Sequence, residues 1–185
     1  YNIKIAFNHI TSINNGPNIG IYSENYYGAT QIDIISNFIN VTGLASTHYW
    51  ALVAGIEAQD SDDKMLNNTI IVTNIGNTTS GDNIYGISYS QNTNGDHTYN
   101  IQYNNITVNE QYAIALKSGS NSKVINSIVA NNILVSSGAG GSRAVTIDSN
   151  GYNNTVWNNT NGAIPKNQMS SNYYPTWLQN YLNKD

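Results

Sequence analysis

The chain reads as an all-β protein, a right-handed parallel β-helix of about six coils with three short strands each, on three observations. An Asn recurs two residues ahead of an apolar anchor in five segments, with a degenerate sixth. A second apolar motif led by Gly or Ala falls once in each interval. No segment before residue 175 combines helical periodicity with freedom from Asn, Gly and Thr, which weaken helices.

The six segments are IAFNHI (5–10), IISNFI (34–39), MLNNTI (65–70), QYNNIT (102–107), VANNIL (129–134) and the degenerate VWNNTN (156–161). Aligned on the anchor, the Asn column is Asn8, Asn37, Asn68, Asn104, Asn131 and Asn158, with intervals of 29, 31, 36, 27 and 27 residues. The second motif reads GIYSE, GIEAQ, GISYS, AIALK and AVTID, with anchors Ile21, Ile56, Ile87, Ile114 and Val145. Two columns in phase predict coils that stack in register at about 4.8 Å.

In the coil that starts at Gly55, GIEA is the first strand, a turn spans Gln59 to Asp63, and KMLN is the second strand. Asn68 makes the corner and TIIVT is the third strand. Asn suits a corner because it tolerates the left-handed conformation and its amide can bond to its counterparts in neighbouring coils. The column is therefore expected to be a buried or semi-buried amide ladder. Inward stacks are expected at Ile10, Ile39, Ile70, Ile106 and Ile133, and at Val41, Val72, Val108 and Val135, with the Gly/Ala-led anchors as a third. The solenoid should cover residues 1–164. Residues 165–185 form a C-terminal cap, in which PTWLQNYLNK (175–184) is a short helix with Pro175 at its start. Such a lid covers an otherwise open sheet edge.

Composition narrows the function. The 185 residues include 33 Asn, 24 Ile and 14 Tyr, only 10% charged residues and no Cys. Disulfides, Cys zinc sites and thiol nucleophiles are thereby excluded. A net charge of −4 lacks the basic footprint of a nucleic-acid binder. No apolar run is long enough to span a bilayer, so no membrane insertion is expected in this segment. The chain opens on Tyr1 rather than Met, which reads as a processed or excised piece.

The stretches NNTIIVTNIG, YGISYSQN and YNIQYNNITVNEQYAIALKSGSNSKVINSIVANNILV resemble the β-helix repeats of adhesin-like surface proteins of methanogenic archaea. Similar pectate-lyase-like repeats occur in periplasmic NosD-like proteins, polysaccharide lyases and phage tailspikes. The resemblance covers roughly residues 1–161. It implies an extracellular protein of the cell surface or cell wall, without enzyme activity, whose partner is a glycan or protein of another cell. The first coil departs from the pattern, with Ser12 where later coils have Val.

Chemistry on the scaffold is sparse. Glu24, Gln59, Ser90, Lys117 and Asp148 form one outward column, in which Lys117 and Asp148 read as an exposed ion pair. A lyase acting on acidic polymers would need more basic groups than Arg143 and scattered lysines supply. Asp60, Asp62 and Asp63 form the dense acidic group and read as a solvated turn, with a calcium site as the sharper alternative. His9, His48 and His97 fall in different coils without metal-site spacing.

Specificity is expected in the longest connections, residues 43–54, 74–85 and 90–98, because loops on a rigid scaffold carry function. Tyr22, Glu24, Tyr26, Tyr27, His48, Tyr49, Trp50 and Glu57 form the candidate ligand site, since exposed rings beside amides and acids suit a neutral sugar. Six N-x-S/T sequons occur, and Asn77, in a loop, is the glycosylation candidate. The main alternative is a carbohydrate-active β-helix enzyme, either lyase or hydrolase. A second is a purely structural envelope spacer.

Overall fold

The computed structural model describes residues 3–24, 31–45, 52–76, 83–90, 95–109, 112–117, 123–136, 143–147 and 151–161. These form an all-β, parallel β-solenoid. The first coil holds β1 (Ile3–Ala6), β2 (His9–Ile13) and β3 (Asn18–Glu24), and the second holds β4 (Gln31–Ile35), β5 (Phe38–Gly43) and β6 (Val53–Gln59). The third contains β7 (Asp62–Leu66), β8 (Thr69–Asn74) and β9 (Ile84–Ser90), and the fourth β10 (Asn100–Gln102), β11 (Asn105–Val108) and β12 (Tyr112–Leu116). The fifth comprises β13 (Ile128–Ala130), β14 (Ile133–Ser136) and β15 (Arg143–Ile147), and β16 (Thr155–Trp157) and β17 (Thr160–Asn161) follow in the sixth.

Every third strand joins the same sheet. Sheet A runs β1-β4-β7-β10-β13-β16, sheet B runs β2-β5-β8-β11-β14-β17, and sheet C runs β3-β6-β9-β12-β15. The pairings are parallel throughout, so each coil feeds its backbone hydrogen bonds to the coils on either side.

The core is a bundle of side-chain columns. Ile21, Ile56, Ile87, Ile114 and Val145 stack along sheet C. Ile10, Ile39, Ile70 and Ile106 stack along sheet B, but the next member is Leu134, not Ile133. The second sheet B column runs Ser12, Val41, Val72, Val108 and Ser136, and Val135 is not in it. Ile133 and Val135 instead face outward, 53% and 44% exposed. Sheet A supplies a further column, Ile5, Ile34, Met65, Ile101, Val129 and Val156.

That column explains the shift in sheet B. Each inward sheet A residue precedes its ladder Asn by three positions, as Ile5 does Asn8 and Met65 does Asn68. Keeping Val129 and Val156 in the core therefore puts Asn132 and Asn159 at the corner, one residue beyond the expected Asn131 and Asn158. The doublet NNIL satisfies the two-residue rule in either register and the degenerate NNTN in neither; strand parity selects one.

The ladder itself is continuous. The backbone N–H and the Nδ2 of Asn8 both donate to Asn37 Oδ1 at 3.0 Å, and the same pair of bonds links Asn37 to Asn68 at 3.0 Å. Asn68 donates to Asn104 at 2.9 and 3.0 Å, Asn104 to Asn132 at 2.9 and 3.0 Å, and Asn132 to Asn159 at 3.0 and 2.8 Å. Each amide also donates to a sheet A carbonyl, as Asn68 Nδ2 does to Ile34 O at 2.9 Å. The left-handed conformation expected of the ladder Asn belongs instead to the residue before it: Phe7, Ser36, Asn67, Tyr103, Asn131 and Asn158 all have φ between 49° and 59°. One residue turns the chain and the next satisfies the backbone.

Glycine in the sheet C motif has a packing reason. A Cβ on Gly55 would lie 2.2 Å from Ile70 Cγ2 and 2.7 Å from Gly86 O. Gly86 is equally crowded, with Ile106 Cγ2 at 2.2 Å. The fourth coil carries Ala113 at this position, fully buried. The expected cap at 165–185 and the helix at 175–184 lie outside the described residues.

Candidate functional site

Sheet C carries the expected ligand-binding residues that fall among the described ones. Tyr22 on β3 stands beside Glu57 on β6, which stands beside Ser88 on β9; Glu24 stands beside Gln59. Strand alternation points Tyr22, Glu57 and Ser88 away from the core column of Ile21, Ile56 and Ile87. Tyr22 is half exposed, and its hydroxyl donates to Gln59 Oε1. Glu57 is buried despite its outward side, and Ser88 Oγ donates to Glu57 Oε2. Tyr22 is thus the group that reaches solvent, while Glu57 is held within the wall. Tyr26, Tyr27, His48, Tyr49 and Trp50 lie outside the described residues, as does Asn77.

Farther along the same face, Tyr85 and Tyr112 stack with centroids 6.1 Å apart and 20° between planes. Lys117 Nζ donates to Tyr85 Oη at 2.6 Å and sits 4.9 Å from the ring centroid, while Tyr85 Oη donates to Asn83 Oδ1 at 2.9 Å. Lys117 is engaged by this cation–π contact. Asp148, its expected partner, lies outside the described residues.

The acidic group is not a solvated turn. Strand β7 begins at Asp62, so the turn is only Asp60 and Ser61, and alternation drives Asp63 inward with Met65. Asp60 is buried at the corner with φ of 53°. Asp63 is 1% exposed; Ser23 Oγ donates to its Oδ2 at 2.7 Å and Ser61 Oγ at 3.1 Å. Burial raises the Asp63 carboxyl to about 6, with the serine hydroxyls and the Ile32 backbone pulling the other way.

Asp62 points outward, where the Thr98 N–H donates to its Oδ1 at 2.8 Å and His97 Nδ1 stands 3.5 Å away. Its burial acts to raise the pKa, but His97 and the Thr98 N–H outweigh it and hold the carboxyl below the ordinary value. The three aspartates therefore diverge: Asp60 turns the chain, Asp62 faces out and Asp63 faces in. Among the described residues no three His, Cys, Asp or Glu side chains converge on a point that could hold a metal ion. His9 lies on β2, packed edge-on against Phe38 at 4.7 Å.

Sequence reasoning missed the serines. Ser23 and Ser88 sit in the sheet C motif at alternating positions that could have been paired with Asp63 and Glu57 once the coils were stacked. Ser61 and the His97–Asp62 contact depend on the corner between sheets C and A, whose length differs from coil to coil. Among the described residues no helix is long and apolar enough to cross a membrane. In comparisons with known proteins, no family model, no curated protein and no solved structure matches this chain.

Proposed function

We propose that the chain is a non-catalytic, extracellular, adhesin-like surface module, a stiff solenoid that presents loops to glycans or proteins of other cells. The observation that carries this reading is the commitment of acid–base groups to the scaffold. Asp63 and Glu57 are buried and bonded by serine hydroxyls, Asp62 is held by His97 and Thr98, and Lys117 is held by Tyr85. Hydrolysis of a glycosidic bond asks for two carboxyls facing one gap roughly 5 to 10 Å wide, whereas Asp63 and Glu57 are buried, 1% and 2% exposed.

Support for a binding role comes from the sheet C face. Tyr22 offers half of an aromatic ring there, beside Gln59. A ring next to amides suits the alternating C–H and hydroxyl surface of a neutral sugar. The proposed address is a cell surface or cell wall.

The test pairs two measurements on one preparation. Purified chain is applied to a glycan array and to whole cells, and in parallel is incubated with a polysaccharide panel assayed for reducing ends and unsaturated products. Retention without product is the expected result. Product formation that disappears on Lys117→Met or Asp60→Asn would replace this reading with a carbohydrate-active enzyme.

A further inference from the structure

The corner between sheets A and B carries a second column, outside the buried ladder, formed by the left-handed residues themselves. Their backbones stack one per coil: Phe7 N–H donates to Ile35 O at 3.2 Å, Asn67 N–H to Gln102 O at 3.1 Å, and Tyr103 N–H to Ala130 O at 3.3 Å. Where amides occupy the column they bond along it. Asn67 Nδ2 donates to Ser36 Oγ at 3.1 Å, and Asn158 Nδ2 donates to Asn131 Oδ1 at 2.8 Å.

Tyr103 interrupts this outer chain between Asn67 and Asn131. A bulky side chain is disfavoured at positive φ, where Asn is tolerated, yet Tyr103 has φ of 58° and Phe7 has φ of 59°. Burial does not offset that strain, since the Tyr103 and Phe7 rings are 62% and 78% exposed. Strain held at an exposed ring points outward, to something that binds there. A third ring, Trp157, lies next to Asn158 and is 41% exposed.

Phe7 and Tyr103 share one column along the solenoid axis, and Trp157 stands one residue to its sheet A side, in register with Ala130. Tyr103 and Trp157 are two coils apart, about 10 Å at strand spacing, and Phe7 is three coils the other way, about 14 Å. The exposed amides of Asn67 and Asn158 and the half-buried amide of Asn131 occupy the same ridge. The charged column beside it on sheet A is mixed in sign, with Lys4 paired to Asp33 and Asp33 to Lys64, and Lys4 Nζ lies 5.9 Å from the Phe7 centroid.

We propose that this ridge binds a neutral polysaccharide strand lying along the solenoid axis. Tyr103 and Trp157 stack on sugar rings a disaccharide length apart, Phe7 extends the track, and the amides bond the hydroxyls between. An aromatic face meets the C–H face of a pyranose, while an amide donates to and accepts from hydroxyls. A polyuronate would find no row of cations along the track. The site belongs to the scaffold rather than to the loops, at a corner that sheet C does not form.

The test is affinity electrophoresis through gels containing soluble β-1,4-glucan, mannan or xylan, with polygalacturonate as the charged comparison. Tyr103→Asn copies the residue of the neighbouring coils, so its thermal midpoint should equal or exceed that of the parent. The parent should be retarded by at least one neutral polymer, and Tyr103→Asn should bind about fivefold more weakly. Trp157→Thr, on a strand that already carries Thr155, reads the same binding should Tyr103→Asn unfold the chain. Retardation that survives Tyr103→Asn and Trp157→Thr together would overturn the proposal, as would retardation by polygalacturonate alone or by no polymer. Loss on Tyr22→Ala with none on Tyr103→Asn would also overturn it and leave the sheet C site as the binder.

Discussion

Two corners of one solenoid solve the same problem in different ways. At the A–B corner a left-handed residue turns the chain and a ladder Asn follows in all six coils, from Asn8 to Asn159, buried in the four middle ones. At the start of sheet A, by the C–A corner, the inward column changes at almost every level. It runs Ile3, Ile32 and Asp63, then Tyr99, Ser127 and Asn154. The A–B corner always spans the same few residues, so the same backbone groups need the same partner each time. The connection into sheet A varies in length, so each coil meets its needs separately; among the described residues Asp60, Asn126 and Asn153 are left-handed there, the last two directly ahead of the inward polar residue. A repeating sequence marks a repeating geometric demand, and a varied one marks freedom that local chemistry can occupy.

The sharpest way to break this comparison is to move the ladder. Asn132→Leu strips Asn104 of the acceptor for two N–H groups and leaves Ile101 O without its amide donor. Several buried groups left unsatisfied at roughly 1–3 kcal/mol each predict a loss of about 3–5 kcal/mol in urea unfolding. Asn131→Leu, one residue away, loses only left-handed tolerance and an exposed amide contact, about 1–2 kcal/mol. Equal unfolding midpoints would return the ladder to Asn131.

Next in size is the response of the C–A corner to pH. Asp63 sits at about 6 in the folded chain against an ordinary 3.8, so the native state holds its proton more tightly than the unfolded state does. The contribution is fully present below about pH 4, declines as pH rises through 6 and is flat above, a loss of up to about 3 kcal/mol. Asp62 acts in the opposite sense: its lowered pKa gives stability above the ordinary carboxylate range that is lost on acidification. Asp63→Asn should remove the downward slope between pH 4 and 7 from the thermal midpoint. A slope that persists in that variant would assign it to another group.

The smallest of the three effects concerns the sheet C motif. Gly55→Ala pushes a methyl group against Ile70 Cγ2 and Gly86 O, so overpacking of about 1–3 kcal/mol is expected from chemical denaturation. Because the fourth coil already accommodates Ala113, Ala113→Gly should relieve no comparable clash. A neutral Gly55→Ala would mean that the second coil can shift as the fourth has.

Much of this molecule was legible from its amino acids. Two phased columns, one of Asn and one led by Gly or Ala, determined a stacked β-solenoid, because a parallel stack asks the same residue type of every coil at a given level. They also determined the sheet C column and the sheet B column as far as Ile106. Only the tertiary structure decided which Asn of the 131–132 and 158–159 doublets joins the ladder. Local spacing does not separate the members of either doublet, and the choice rests on burying Val129 and Val156 in sheet A. Likewise the D-x-D-D run looks solvated when read alone, since no local feature shows that β7 starts at Asp62 and turns Asp63 into the core. The exposed rings of Phe7 and Tyr103 were visible as letters, but their left-handed backbone and their place on one ridge arise only when the coils are stacked. Local residue preferences set the repeat; the register between coils, a long-range property, set the partners of each polar group.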